Sequence, residues 1–356
     1  MLDVKITKAS ALKEKPADPG SVPFGVAFTD HMFLMDYTEE DGWQDARIVP
    51  YGNLSISPGS TVMHYAVEIF EGLKAYRTPE GKVQLFRPEQ NFIRMNDSAE
   101  RMCLPKLNVE DAVEYLKMFV DLEKDWVPSA FGTSLYLRPF MYATDIGLSL
   151  HGVHKATFVI IACVVGSYYK GGMQPADLLI ETEDVRAVRG GTGFAKCGGN
   201  YAASMRAGEK AAEKGYSQVL WLDGVERKYV EEGGAMNVMF IWDGKLVTPE
   251  LNGSILPGIT RKSILAMAES WGMEVVEKKV AAEDLIEGVK AGSVSEAFMC
   301  GTAAVVTPIG AFAWEDEKVV VNGGQIGKMT QKIYDELTGI QWGLSEDKLG
   351  WTVTLD

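Results

Sequence analysis

The chain reads as an α+β protein of two domains, and three observations lead there. Its 356 residues exceed what one hydrophobic core usually organises. Strand-like and helix-like segments alternate irregularly, with hairpin signals among them, unlike the regular rhythm of a doubly wound sheet. Hydrophobic residues make up 46% and charged residues 24%, ordinary values for a globular chain that buries sizeable cores.

The elements follow in order. Residues 1–22 carry Lys, Asp, Pro and Ser and read as an extended arm. Strand and turn signals run through Trp43 and the segment near Asn53. Residues 65–76 are expected as a short helix broken at Gly72 and then a strand, and 83–86 as a strand. Pro88 suits the first position of a helix, which should reach about Met102 with Phe92, Met95, Ala99 and Met102 on one stripe. A second helix is expected over 109–124, and strands over 133–142 and 156–165. The Lys-Gly-Gly-Met-Gln-Pro stretch from Lys170 to Pro175 reads as a linker. The expected organisation is therefore a small N-terminal α/β domain (1–168), an interdomain linker (169–180) and a large C-terminal domain (181–356). In the latter, helices are expected over 200–214, 260–271, 282–291 and 326–337. Strands are expected over 219–222, 236–242, 245–248, 273–280 and 297–299. Asp243-Gly244 is a hairpin signal. No internal repeat or low-complexity stretch is visible.

Net charge is −14, from 49 acidic and 35 basic residues, which argues against a nucleic-acid partner and against binding to anionic membranes. A local cluster of arginine and backbone N–H groups could still hold an anionic ligand. Cys103, Cys163, Cys197 and Cys300 are scattered, with no Cys-x-x-Cys. Neither a disulfide framework nor a metal site is expected, and a reducing compartment fits. The first residues are polar, without a signal-peptide core, and the longest apolar run, 158–165, is too short to span a bilayer. The expectation is a cytoplasmic protein.

Lys196 lies beside a run of five glycines within residues 190–199, just ahead of an alanine-rich helix. Read locally, the glycines could make a surface turn with the lysine as a solvated charge. A nucleotide phosphate loop does not fit, because Ala195 precedes the lysine and Cys197 follows it. A desolvated lysine is the other reading: burial disfavours its charged form, so it can serve as nucleophile and base near neutral pH. Separately, Pro257-Gly258 leads into a helix beginning at Ile259 and Thr260, whose N–H groups offer an anion site unless water caps them.

Five segments occur in order: Phe70-Glu71-Gly72, Lys196 with Gly198-Gly199-Asn200-Tyr201, Glu232 to Asn237, Leu256 to Arg261, and Gly301-Thr302-Ala303-Ala304. Each alone is weak; as an ordered set they resemble the branched-chain amino-acid aminotransferases, pyridoxal 5'-phosphate enzymes of fold type IV. The likeness runs from about Phe24 to the last helix. It implies that Lys196 is the Schiff-base lysine and also moves a proton between the substrate α-carbon and cofactor C4′. It implies that Tyr201 hydrogen-bonds the cofactor's phenolic oxygen and that Glu232 pairs with the pyridine nitrogen. Locally, Tyr201 is equally a buried aromatic at a helix start, and Glu231-Glu232 reads as a solvated acidic pair. Arg94 matches the phosphate-clamping arginine, through spacing from Phe86-Arg87. Arg94 lies off the apolar stripe, so periodicity predicts an exposed charge; Arg87 is the competing candidate. Ile259, Thr260 and Thr302 would complete the phosphate site, and the Ala303 N–H would meet the substrate carboxylate.

The resemblance places Phe24, Tyr65, Phe70, Tyr136 and Tyr168 around the substrate, with Ala235 as a small floor residue. Such a pocket must take apolar Leu, Ile or Val side chains and also the γ-carboxylate of glutamate. Arg138 matches the residue for that second carboxylate, and Tyr136 with backbone N–H groups would take the first. One departure stands out: mammalian members carry Cys-x-x-Cys after Gly-Thr-Ala, where this chain has Ala304-Val305-Val306-Thr307. The redox switch tied to that pair should be absent. Length and the opening Phe24-Gly25 to Asp30-His31-Met32 look closer to the longer, eukaryote-like members. The implied protein is a homodimer that binds its cofactor between domains. It would move amino groups between branched-chain amino acids and 2-oxoglutarate, yielding glutamate and 2-oxo acids. The alternatives are a D-amino-acid aminotransferase, an aminodeoxychorismate lyase, or a non-catalytic cofactor-binding protein.

Overall fold

Strands Ser134–Ala143 and Lys155–Val165 pair antiparallel, from Ser134 opposite Val165 to Ala143 opposite Ala156. They form the middle of a ten-stranded sheet in the computed structural model, which describes residues 1–166, 172–315 and 317–355. On one side, His31–Thr38 pairs with Lys155–Val165 and then with Gly42–Pro50, whose far edge carries the short parallel strand Lys5–Ile6. On the other side come Leu73–Arg77, Val83–Phe86 and the C-terminal strand Thr352–Leu355. Glu68–Phe70 adds to Ser134–Ala143, and Ala27–Phe28 to Lys155–Val165.

Helices Pro88–Arg101 and Val109–Leu122 supply Phe92, Met95, Ala99, Leu116 and Phe119 to the core of this sheet, where they meet Phe33, Leu85, Leu135 and Phe158. The expected stripe of the first helix is the buried one, with Met102 partly buried beside it. Asn108 caps the second helix by accepting the Asp111 N–H at 2.9 Å.

A second, nine-stranded sheet organises the other unit. Its order is Val230–Gly233, Gln218–Leu222, Ala176–Ile180, Val305–Trp314, Val294–Gly301, Met236–Trp242, Lys245–Pro249 and Val275–Lys278, with Glu317–Val320 beside Val305–Trp314. Because Val230–Gly233 also pairs with Met236–Trp242, six of these strands close into a ring, which leaves no open edge between them. The turn at Asp243-Gly244 has φ of 48° and 76°, the left-handed pair that the hairpin signal demands.

The units divide as Met1–Tyr168, Ala195–Gly198 and Gly339–Asp356 against Tyr169–Phe194 and Gly199–Thr338. Two consecutive domains were expected; instead the chain returns twice to the first unit. The physical causes are local pairing: the Phe70 N–H donates to the Lys196 carbonyl at 2.9 Å, and Thr352–Leu355 pairs with Val83–Phe86. The expected linker also extends too far, since Ala176–Ile180 is a strand flanked on both sides by parallel partners. The linker's start, 169–171, lies outside the described residues. The helix expected from Tyr65 ends there instead: it spans Thr61–Tyr65, and Ala66 turns left-handed at φ 49°. Strand Val305–Trp314, almost wholly buried, has no polar alternation and had escaped the sequence reading. No helix among the described residues is long and apolar enough to cross a membrane.

Phe158 is fully buried, its ring centroid 6.0 Å from Phe33 and 6.3 Å from Phe92. Phe158→Ala is expected to lower unfolding free energy by about 3–5 kcal/mol, read from the denaturant midpoint.

Candidate active site

Ala195 and Cys197 are buried in the first unit's core, and Lys196 between them is partly buried. The backbone here is pinned. The Lys196 N–H donates to Ser98 Oγ at 2.9 Å, its carbonyl accepts from Phe70, and the Gly198 N–H donates to the Glu68 carboxylate. The Lys196 ammonium lies 4.9 Å from the Phe70 ring centroid. Desolvation lowers its pKa to about 8, with the Arg94 charge pulling the same way and Glu71 opposing.

Arg94 is buried, not exposed as periodicity predicted. The helix carries two parallel stripes: apolar Phe92, Met95 and Ala99, and polar Asn91, Arg94 and Ser98, all buried. The polar stripe meets Glu71, which is 0% exposed. Arg94 Nε and Nη2 each donate to Glu71 at 2.8 Å, and Asn91 Nδ2 adds a bond at 2.7 Å. Burial pushes the Glu71 carboxyl up, but the Arg94 charge, with Lys196 and Asn91, outweighs it and leaves the group below the usual range. This edge of the guanidinium, Nε and Nη2, is committed to Glu71. The competing Arg87 is drawn to the C-terminal strand instead: its N–H donates to the Trp351 carbonyl at 2.7 Å and its guanidinium sits 4.9 Å from the Trp351 ring.

The aromatic candidates of this unit separate into two places. Phe24 packs edge-on against Tyr136 at 4.9 Å, and the Arg138 guanidinium lies 4.8 Å from Phe70 and 5.4 Å from Tyr136. Arg138 Nη2 donates to the Tyr136 hydroxyl at 3.2 Å, while its Nε is buried and makes no hydrogen bond among the described residues. Gly72 is required beside them, because a Cβ there would strike the Tyr136 hydroxyl. Glu68 lies near the same arginine; burial raises its carboxyl against the pull of the Gly198 N–H and Arg138. Tyr65 is the separate one, half-exposed, its hydroxyl donating to the Leu148 carbonyl at 2.7 Å. Tyr168 lies outside the described residues.

In the second unit, Glu232 is 3% exposed, so the reading of a solvated acidic pair is overturned. Its Oε1 accepts the Leu256 N–H at 2.9 Å and Asn237 Nδ2 at 3.3 Å, and its Oε2 is 2.9 Å from Arg186 Nε. Glu231 points elsewhere, towards Ser254 and Asn252. Helix Ile259–Ser270 starts at Gly258 with no side-chain cap, and Ile259 and Thr260 are buried in its first turn. A Cβ at Gly258 would strike Asn237 Oδ1. Thr302 and Ala303 form the turn between Val294–Gly301 and Val305–Trp314. Tyr201 is half-buried in the first turn of helix Gly198–Glu213, and Ala235 is exposed at the turn before Met236–Trp242.

Sequence reasoning gave no role to Glu68, Glu71, Asn91, Ser98 or Arg186. The spacing of Asn91, Arg94 and Ser98, three and four residues apart, is the signal that could have revealed a polar helix edge. In cofactor-free protein, amine acylation mapped by peptide mass spectrometry should show Lys196 labelling rise through pH 8. Surface lysines should rise only near their ordinary value of about 10.5.

A family model described as amino-transferase class IV matches residues 68–312. The chain is 50% identical to branched-chain-amino-acid aminotransferase 2 of Bacillus subtilis over 349 residues, 98% of this chain and 96% of that relative. The long form therefore occurs in bacteria. The solved branched-chain amino acid aminotransferase of Escherichia coli matches with a TM-score of 0.76 at 26% identity, covering 92% of this chain and 99% of that one. The T.th. branched-chain amino acid aminotransferase complexed with N-(5'-phosphopyridoxyl)-L-glutamate matches with a TM-score of 0.71 at 26% identity, over 92% and 98%. Family model, near-complete relatives and α+β architecture agree: the chain is a fold-type IV enzyme and belongs to the branched-chain-amino-acid aminotransferase family.

Proposed function

We propose that the protein reversibly transfers the amino group between L-leucine, L-isoleucine or L-valine and 2-oxoglutarate, in ping-pong fashion, with pyridoxal 5'-phosphate as cofactor. The observation that carries this reading is the Lys196 amine, desolvated and lowered to about 8, on backbone held from both sides. The T.th. relative, complexed with a phosphopyridoxyl group joined to glutamate, supports both the cofactor and the amino donor.

The residues present fit the cofactor. An amine with a lowered pKa, a buried carboxylate backed by an arginine, and a helix start without a side-chain cap are groups that suit an aldehyde, a pyridinium and a phosphate. When bound, pyridoxal phosphate supplies an aldehyde that joins amines and a ring that draws electrons from the substrate α-carbon. Lys196 Nζ would be the base that moves a proton between that carbon and cofactor C4′. Glu232 holds the proton on the ring nitrogen. Tyr201 donates to the phenolic oxygen. Arg94, Ile259, Thr260 and Thr302 hold the phosphate.

On the substrate side, Arg138 takes the γ-carboxylate of glutamate; its buried Nε, unbonded among the described residues, and its stacking on Phe70 and Tyr136 support this role. The same aromatic walls, with Phe24, offer apolar contact to a branched side chain. Tyr136 and the Ala303 N–H take the α-carboxylate. Tyr65, Tyr168 and Ala235 remain assigned to the pocket by family resemblance. The homodimer rests on that resemblance too, and the cytoplasmic location on the scattered cysteines.

Borohydride reduction of holoenzyme should leave the cofactor label on Lys196, and Lys196→Ala should lower leucine turnover by at least about 10²–10⁴-fold with the fold retained by circular dichroism. Label elsewhere, or near-normal turnover in that variant, would sink the mechanism. A panel of amino donors should show L-leucine, L-isoleucine and L-valine active with 2-oxoglutarate; activity confined to D-alanine would sink the substrate assignment.

A further inference from the structure

Glu232 can serve a ring nitrogen only if its carboxylate is aimed and charged, and Arg186 is built to do both. The residue is 8% exposed, within the second unit. Nε lies 2.9 Å from Glu232 Oε2, and Nη2 reaches two backbone carbonyls, Gly193 at 3.2 Å and Ser254. The arginine thus ties three stretches distant in sequence: the glycine-rich run, the strand carrying Glu232 and the loop before helix Ile259–Ser270.

The packing around it depends on glycine. A Cβ on Gly193 would strike the Ser254 carbonyl, so the two carbonyls that Arg186 bridges approach only because position 193 has no side chain. On the far side of Glu232, Asn237 Nδ2 donates to both Oε1 and the Leu256 carbonyl, and the Leu256 N–H returns a bond to Oε1. Glu232 is therefore held by a cation at one oxygen and amide donors at the other.

We infer that Arg186 is a positioning residue for the transamination: it fixes the Glu232 carboxylate in its charged form and orientation, and through it sets the electron demand of the bound cofactor. This rests on the proposed pairing of Glu232 with the ring nitrogen. A guanidinium in contact stabilises negative charge on its partner, and removing it leaves a buried carboxylate whose charge is no longer compensated. Lysine keeps the charge but cannot hold an ion pair with Glu232 and bond two carbonyls through one planar group.

The test is a double-mutant cycle on holoenzyme with Arg186→Met, Arg186→Lys, Glu232→Gln and the combined Arg186→Met/Glu232→Gln variant. Three quantities are read: kcat and KM for L-leucine, and the pH midpoint of the bound cofactor's visible absorbance. Arg186→Met is expected to lower kcat roughly 10–100-fold, the range seen when outer partners of functional groups are removed. KM should stay within about twofold, and the absorbance midpoint should move in the same direction as in Glu232→Gln. Arg186→Lys should recover part of both effects and keeps the test open if the methionine variant does not fold. In the Glu232→Gln background, Arg186→Met should add little. If Glu232→Gln alone changes kcat and absorbance but Arg186→Met changes neither, or the two effects multiply independently, the inference is overturned while the ring-nitrogen pairing stands. If Glu232→Gln alone changes nothing, the pairing itself fails and the inference with it.

Discussion

The chemistry depends on one constraint: an amine must be kept out of water without being left uncompensated. Lys196 meets it through position. Its neighbours Ala195 and Cys197 lie in the core, and its ammonium lies over the Phe70 ring. Burial then disfavours the ammonium, and the Arg94 charge adds to that effect. A lone arginine nearby would carry its own desolvation cost, and Glu71 offsets it with two charge-assisted bonds. The acid, the arginine and the amine behave as one charge system, so altering any member changes the proton affinity of the others.

The first unit's sheet exists in the form needed to hold that system. Glu68, Phe70 and Glu71 lie on or beside a three-residue strand at the Ser134–Ala143 edge, and Tyr136 and Arg138 stand two residues apart on the same face of that long strand. Pairing register therefore sets the Arg138–Phe70 approach directly. A one-residue slip would send Tyr136 and Arg138 to the opposite face together. Such a slip would be costly, because Leu135, Leu137 and Met141 would leave the core for the face now held by Tyr136 and Arg138.

Legibility in the sequence followed the strength of the local rule. Helix Pro88–Arg101 was readable because Pro88 and an apolar stripe agree, and the Asp243-Gly244 turn because few residues accept left-handed backbone. The helix expected from Tyr65 failed because Ala66 ends it by a left-handed turn that no glycine announces. Strand Val305–Trp314 failed because burial on both faces erases alternation. At the candidate site, the ordered motifs point to Lys196, Glu232 and the helix start at Ile259, but not to the side chains packed against them. Arg94 looked exposed because an apolar periodicity has no term for a buried acid arriving from a strand 23 positions earlier in the sequence. Arg186 sits in a stretch with no helix or strand period at all.

The departure after Gly301-Thr302-Ala303 follows the same physical logic. With alanine and threonine where that cysteine pair would stand, the cysteine nearest this turn in the sequence is Cys300, opposite Asn237 in the sheet. Burial pushes its thiol up to about 12, with Glu232 adding to the rise and Arg261 opposing it. A thiolate is the reactive form, and at neutral pH this group is almost wholly protonated and shielded. Burial, not a nearby charge, is thus what keeps this sulfur in its unreactive form.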